Sequence, residues 1–267
     1  MTPGYQALQK NSGLVDLSLR GRIRVTGEDR ARLIHALTTN HIQQMKPGDH
    51  IYAFFLTAQG RIVSDAHISC YEDYLLLDVE PEVHEQLLRH IDHYIIADDV
   101  TLEDVTASTF SLEVCGSRIY GELGNKAEIM SHYDLTPATA EEFRAFQIDH
   151  FHPRFGEDFT SSTLPQETGL THALHFQKGC YLGQEIVERI RSRGHVNRML
   201  VGLTLEKEES FPVGTPVGTK LHFNSEDIGQ ITSLHRDRAI AMVRIQASKP
   251  GTVLQIGDVN ATVAAVS

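Results

Sequence analysis

The sequence predicts an α+β protein with a small β-barrel at its C-terminal end, on three observations. Segments of strand periodicity are interspersed with helical ones without regular alternation, which argues against a doubly wound parallel sheet. Beyond Arg198, short apolar runs are separated by Gly/Pro turns, the pattern of a closed or nearly closed barrel. A chain of 267 residues with 41% hydrophobic and 22% charged residues is long and apolar enough for two or three small cores.

The elements follow in order. Arg22-Ile23-Arg24-Val25 alternates polar and apolar residues and reads as a half-buried strand ending at Gly27. Residues 28–37 then read as a helix with Leu33, Ile34 and Leu37 on one face, and Lys46-Pro47-Gly48-Asp49 as a turn. Residues 51–56 and 61–70 are two strands joined through Gln59-Gly60, and 74–79 a third. Pro81 suits the first turn of a helix reaching residue 91, because its missing N–H would be unpaired there anyway. Residues 110–115 form another strand, and 141–148 a short helix or strand leading into the irregular stretch 149–156. Ile186, Val187 and Ile190 make a helical stripe that Gly194 ends. Residues 200–205, 229–234, 238–245 and 259–266 are the barrel strands, separated by turns such as Pro212-Val213-Gly214-Thr215-Pro216.

Charge and composition narrow the function classes. The balance of 24 Lys+Arg against 35 Asp+Glu gives a formal charge of -11, which opposes nonspecific binding to nucleic acid or to an anionic membrane. Met1-Thr2-Pro3-Gly4-Tyr5-Gln6 lacks the basic and apolar regions of a signal peptide, and no apolar run approaches the ~18 residues of a span. A cytoplasmic protein without membrane or direct nucleic-acid partners is expected. Cys70, Cys115 and Cys180 are widely spaced with no CxxC, which suggests a reducing compartment, no disulfide framework and no cysteine-only metal site. His150, His152, His172 and His175 bracket the irregular region, and His90 and His93 lie close together. Their spacings match no standard metal signature, and no metal is expected.

The most informative stretch is Gln177-Lys178-Gly179-Cys180-Tyr181-Leu182-Gly183-Gln184-Glu185, which runs into the helical stripe. Cys180 would then sit just before a helix start. A helix dipole and the Lys178 ammonium both favour thiolate, and Gly179 and Gly183 let backbone approach whatever the sulfur meets. A small buried cysteine beside a surface lysine is the alternative reading.

Lys-Gly-Cys-Tyr-x-Gly-Gln-Glu resembles the signature of the YgfZ branch of the folate-binding, glycine-cleavage T-protein-like superfamily, whose members assist maturation of iron–sulfur proteins. Gly13-Leu14-Val15-Asp16-Leu17-Ser18, Gly21-Arg22-Ile23-x-Val25-x-Gly27-x-Asp29, Pro153-Arg154-Phe155-Gly156 and Leu164-Pro165-Gln166-Glu167 are similar to further segments of that superfamily. The resemblance implies a folate-binding α+β region over residues 1–195, made of two interleaved subdomains, and a C-terminal barrel over 196–267. It departs from the pattern at two places. Thr39-Asn40 matches a Thr-Asn-Asp motif, but His41 replaces the acid. Where relatives carry Arg-Ile-Glu-x-Gly, with a Glu that grips the pterin, this chain has Gln147-Ile148-Asp149-His150-Phe151.

The resemblance also implies the site. Gly60-Arg61-Ile62-x-x-Asp65 is similar to the segment that brings a carboxylate to the reactive end of tetrahydrofolate, so Asp65 is a candidate catalytic and folate-binding acid beside Cys180 and Lys178. Asp65 as an ordinary strand acid is the alternative. Asp149 could meet the pterin donors or be a helix-end acid, and Phe151 could stack on a flat ring or plug a core. Tyr181 and Gln184 of the motif are further ligand candidates. Arg189 and Arg198 belong to an arginine-rich run that could dock the glutamyl tail of folate or an acidic partner, or could be a solvated helix end. Asp16 is expected to cap or pair locally.

Two functions follow. One is a tetrahydrofolate-binding accessory factor for assembly or repair of iron–sulfur proteins, partnering those proteins or their assembly machinery, with Cys180 as the handle for redox or sulfur chemistry. The other is a folate-dependent aminomethyltransferase of the T-protein type, with Asp65 at the folate nitrogens.

Overall fold

The computed structural model describes residues 1–205, 218–257 and 259–264. The turn expected at 212–216 and the last two residues of the final expected strand lie outside them. The chain divides into two compact units, Met1–Phe143 with Leu170–Glu188, and Arg144–Gly169 with Arg189–Ser267.

The first unit runs α1 (Pro3–Gln9), β1 (Gly13–Asp16), β2 (Gly21–Thr26), α2 (Arg30–Leu37), β3 (His50–Leu56), β4 (Ile62–Cys70), β5 (Leu75–Val79), α3 (His84–Asp92), β6 (Thr101–Asp104), β7 (Thr109–Val114), β8 (Ser117–Glu122), α4 (Lys126–Ser131) and β9 (Thr136–Ala138). Two helices continue from one unit into the other, α5 (Ala140–Asp149) and α6 (Gln184–Arg193). Five strands form one sheet in the order β3-β4-β5-β2-β6, and four form a second in the order β8-β7-β1-β9.

The five-stranded sheet has two faces of opposite character. Ile23, Val25, Ala53, Phe55, Ala66, Ile68, Leu77 and Val79 pack with Leu33, Ile34 and Leu37 of α2 and with Leu87 and Ile91 of α3 in one apolar core. The i, i+4 pair of α3 and the i, i+1, i+4 set of α2 are the stripes that a 3.6-residue period places on one side. On the other face, strand register lines up Tyr52 with His67, His67 with Asp78, and Asp78 with Arg22.

This polar face is not in water. Arg22, expected to point to solvent from a half-buried strand, is fully buried. Its guanidinium donates to Thr109 Oγ1 at 2.7 Å and to the carbonyls of Arg20 at 2.7 Å and Thr106 at 2.6 Å. The difference arises because β7 of the second sheet turns Thr109 and Ser111 toward it, while Phe110, Leu112 and Val114 alternate into a separate core with Leu14. Asp78, with no exposed side-chain surface, accepts from Ser111 Oγ at 3.0 Å and Arg118 at 2.9 Å and pairs with Arg20. Burial opposes ionisation of Asp78, yet Arg20 and Arg118 hold its carboxyl far below the usual range. Asp16 accepts locally from the Ser18 N–H and Oγ, and it also pairs with Lys126, 110 residues further along the chain.

In the second unit β10 (Arg198–Leu205), β11 (Lys220–Phe223), β12 (Glu226–His235), β13 (Arg238–Arg244), β14 (Val253–Ile256) and β15 (Val259–Val263) close into a barrel in the order β10-β13-β12-β11-β14-β15. β10 and β12 include the expected strands at 200–205 and 229–234, while β13 and β15 match those expected at 238–245 and 259–266 but end earlier, at Arg244 and Val263. The two short ones, β11 and β14, carry too few alternating residues to stand out in the sequence. Leu203, Leu221, Ile231, Ala241, Leu254 and Val263 fill the interior. A register shift in β12 between Ile231 and Ser233 turns two neighbouring hydroxyls the same way. Thr232 and Ser233 both donate to Asp158 Oδ1 at 2.6 Å, while Arg144 at 2.7 Å and the Arg154 N–H at 2.8 Å donate to Oδ2. One buried carboxylate thereby pins the irregular segment before the barrel onto the barrel itself.

Candidate functional site

The cysteine-bearing segment docks on the C-terminal end of α2. The last carbonyls of a helix lack intrahelical partners, and here a lysine supplies one. Lys178 is 7% exposed, and its Nζ donates to the carbonyls of His35 at 2.5 Å, Thr38 at 2.6 Å and Asn40 at 2.8 Å. The Tyr181 ring lies 4.8 Å from the same ammonium, a cation–π contact. The Leu182 N–H donates to the Ala36 carbonyl at 2.9 Å and the His175 N–H to that of Thr39 at 2.9 Å. Burial lowers Lys178 to about 7, while its three carbonyl partners favour the ammonium.

Gly183 of the motif and Gly60 of the β3–β4 turn serve close packing, whereas at Gly179 an added Cβ would come no nearer than 3.8 Å, to His35 Nε2. At Gly183, with φ of 79°, an added Cβ would lie 2.6 Å from the Thr57 carbonyl oxygen, and at Gly60 one would lie 2.8 Å from Cβ of Ile186. Gln184 accepts from the Tyr181 N–H at 3.3 Å where α6 begins. Helix α6 therefore starts four residues after Cys180, not immediately after it, because this turn comes between. Lys178, expected beside the sulfur as a thiolate-stabilising cation, is instead spent inward on α2. Cys180 itself is an exposed thiol, which excludes the small buried cysteine of the alternative reading.

Thr39 and Asn40 tie the same segment to β3. Thr39 Oγ1 donates to the Ala173 carbonyl at 2.6 Å and accepts from the Phe54 N–H at 3.0 Å. The Asn40 amide donates to the carbonyls of Tyr52 and His172, each at 3.0 Å. Next to it His41, which stands in place of an acid, packs edge-on against His35 with ring centroids 4.6 Å apart and against His175 at 5.3 Å.

Asp65 is 5% exposed, in the polar layer between the two sheets of the first unit. Tyr52 Oη donates to its Oδ2 at 2.7 Å, and its Oδ1 is buried without a hydrogen-bond partner among the described residues. Burial raises the Asp65 carboxyl, against the pull of Arg20 and the Tyr52 hydrogen bond. An ordinary solvent-facing strand acid is thus excluded. Tyr52, Arg20 and Glu80 were not legible as site neighbours; the one available signal was the alternation of Asp65 and His67 with Ala66 and Ile68 along β4.

The other candidates lie in the second unit. Asp149, the last residue of α5, has Oδ1 at 2.9 Å from Nδ1 of His235 on β12. Phe151 has a φ of 57°, and its ring covers Gly202 of β10 so closely that an added Cβ there would be 2.3 Å away. The Arg238 guanidinium lies 5.7 Å from that ring centroid. This is the packing of a plug, and it occupies one of the two roles open to Phe151. Arg198 donates through Nε to Glu167 at 3.0 Å and through Nη2 to the Ser162 carbonyl at 3.0 Å, which commits those two nitrogens within the unit. Arg189 is exposed on α6. Among the described residues no group of three or more His, Cys, Asp or Glu side chains could hold a metal ion.

These features define a class by fold: a mixed α/β chain of the glycine-cleavage aminomethyltransferase type with a closed six-stranded C-terminal barrel. The structure of glycine cleavage system aminomethyltransferase T from Bartonella henselae superposes with a TM-score of 0.82 over 98% of this chain and 88% of that one, at 14% identity. Residues 3–124 match the GCVT N-terminal domain and residues 198–266 the CAF17 C-terminal beta-barrel domain. Among curated proteins the chain is 22% identical to a putative chloroplastic transferase of Arabidopsis thaliana, over 92% of this chain and 68% of that protein. It is 26% identical to a mitochondrial protein of Neurospora crassa named as an iron-sulfur cluster assembly factor IBA57 homolog, over 75% of this chain and 55% of the relative. It is 21% identical to an aminomethyltransferase of Rippkaea orientalis, over 94% and 84%. The chain thus spans little more than half the length of the assembly-factor relative.

Proposed function

We propose that this protein is a tetrahydrofolate-binding accessory factor for assembly or repair of iron–sulfur proteins, of the YgfZ type, with Cys180 as its reactive group. Relatives named as iron-sulfur cluster assembly factors support the class. One observation carries the assignment to Cys180: Lys178, Tyr181, Gly183 and Gln184 are committed to holding the segment, and the thiol between them faces outward. A motif built this way presents a sulfur. Residues 1–195 form the folate-binding region of this proposal and 196–267 the barrel domain, and the partners are iron–sulfur proteins or their assembly machinery. The three unpaired thiols accord with a reducing compartment such as the cytoplasm.

The residues present fit a reduced folate at Asp65. An orphaned carboxyl oxygen buried beside a donating tyrosine suits the hydrogen-bonding groups of a pterin, and a carboxyl raised by burial can hold a proton at the ring nitrogens. Bound tetrahydrofolate would supply a one-carbon acceptor. A ligand role for Asp149 competes with its bond to His235.

Two experiments test this reading. Cys180→Ala should fold normally and fail to restore iron–sulfur enzyme activity in a strain lacking the protein; full restoration would sink the assignment. Calorimetry with tetrahydrofolate should show binding that Asp65→Ala abolishes, and Asp149→Ala should weaken it if that carboxylate also meets the ligand.

Aminomethyl transfer is the second reading, favoured by the aminomethyltransferase relatives matched over 94% of the chain and by the same Asp65. Turnover of an aminomethyl donor in the presence of tetrahydrofolate would establish it. Absence of turnover with both lipoyl-carried and free donors would eliminate it.

A further inference from the structure

The clasp that holds the Cys180 segment is surrounded by imidazoles. Lys178 bonds three carbonyls at the end of α2, one of them that of His35. The His35 side chain reaches back toward the motif, its Nε2 lying 3.8 Å from where a Cβ on Gly179 would be. His41 follows the clasped turn and touches both His35 and His175, and His175 is borne by the docked segment itself. Three imidazoles therefore join the two surfaces that the clasp holds together.

The surroundings of His35 and His41 disfavour protons. His35 and His41 each bury Nδ1 without a hydrogen-bond partner among the described residues, so an added N–H would have no acceptor there. The charged groups that bear on His35 are Lys178, His41 and His175, and those on His41 are His175 and Lys178. Asn40 and Tyr181, which also face the clasp, carry no charge of their own at neutral pH. Burial first, and then the Lys178 ammonium, lower His35 to about 4, and burial lowers His41 as well.

We propose that Lys178 is a positioning residue whose clasp on α2 orders the Cys180 segment at neutral pH, and that protonation of the His35–His41 pair, packed between the clasp and His175, releases that segment. The sign follows from linkage. An imidazole whose pKa is lowered in the docked state takes up protons more readily once undocked, so docking weakens as pH falls from about 6.5 toward the docked value. Release breaks the Leu182-to-Ala36 and His175-to-Thr39 hydrogen bonds and turns the lysine out to water. The clasp belongs to the fold; only its bearing on function rests on Cys180 being the reactive group.

Hydrogen exchange of the full-length protein, corrected for the intrinsic pH dependence of exchange, tests it. Between pH 7.5 and pH 5.0, protection of peptides covering 175–182 should fall at least about ten-fold, while peptides from β10 and β13 hold theirs. Lys178→Met should remove the protection at both pH values. A His35→Gln, His41→Gln double variant, which removes both imidazoles disfavoured as cations in the docked state, should keep it at both. Cys180→Ala should respond to pH as the wild type does, which separates failure of the clasp from failure of the thiol assignment. Wild-type protection that is unchanged at pH 5.0, or that falls equally in the barrel strands, would overturn the proposal even if no variant folds.

Discussion

Tyr52 Oη donates to Asp65 Oδ2 at 2.7 Å and leaves Oδ1 of the same carboxyl buried and unpartnered among the described residues. A half-satisfied buried acid is costly to a fold, and it is this cost that makes Asp65 the carboxyl proposed above to meet a ligand or hold a proton. Tyr52 is on β3 and Asp65 on β4, in neighbouring positions of a hairpin whose polar face is covered by a second sheet.

Replacing Tyr52 with Phe removes the hydroxyl that donates to Oδ2. The Tyr52 hydrogen bond holds the Asp65 carboxyl down against burial, so the variant should raise that carboxyl further and cost about 1–2 kcal/mol of stability. Urea unfolding followed by circular dichroism measures the loss, since the chain has no tryptophan to report it. No change in midpoint would mean that the hydrogen bond is not formed in solution.

Asp65→Asn should alter the pH dependence of stability. A carboxyl raised above 3.8 keeps its proton in the folded state at pH values where the unfolded chain has released it, so the wild type weakens as pH rises through that window. The amide cannot ionise, and the variant should lose less stability than the wild type between about pH 4 and pH 7. Parallel curves for the two proteins would show that Asp65 titrates normally.

Gly183→Ala should destabilise the first unit by at least about 2 kcal/mol, because the residue has a φ of 79° and its Cβ would meet the Thr57 carbonyl oxygen at 2.6 Å. Protection of the 175–182 backbone against exchange should fall with it. Wild-type unfolding and protection would contradict the packing of the motif against the β3–β4 turn.

Asp158→Ala should be the most damaging single change in the second unit. It removes the buried partner of Arg144 Nη2, leaving that guanidinium to Glu157 and the His152 carbonyl, and deprives the Thr232 and Ser233 hydroxyls of their carboxylate, at a cost of about 3 kcal/mol. Exchange of β12 amides should accelerate while that of β4 amides stays as in the wild type.

How much of this was legible depends on range. The stripe of α2, the β3–β4 hairpin and the main barrel strands follow from periodicities of 3.6 and 2 residues, which are local properties of the chain. The short strands β6, β9, β11 and β14 have too few residues for a period to register, and pairing alone makes them strands. Arg22 was read as solvent-facing because alternation cannot say what covers the second face of a sheet, and here β7 covers it.

The sequence by itself determined the mixed fold class, the C-terminal barrel and the motif around Cys180, because residue spacing and glycine placement are written along one segment. Only the tertiary structure decided that Lys178 turns inward to a carbonyl 143 residues away and that Asp65 lies buried beside Tyr52. It alone gathered His35, His41 and His175 around the clasp. Hydrogen bonds and burial of that kind depend on which distant backbone and which opposing sheet close over a side chain, and chain folding settles this only when the whole first unit packs.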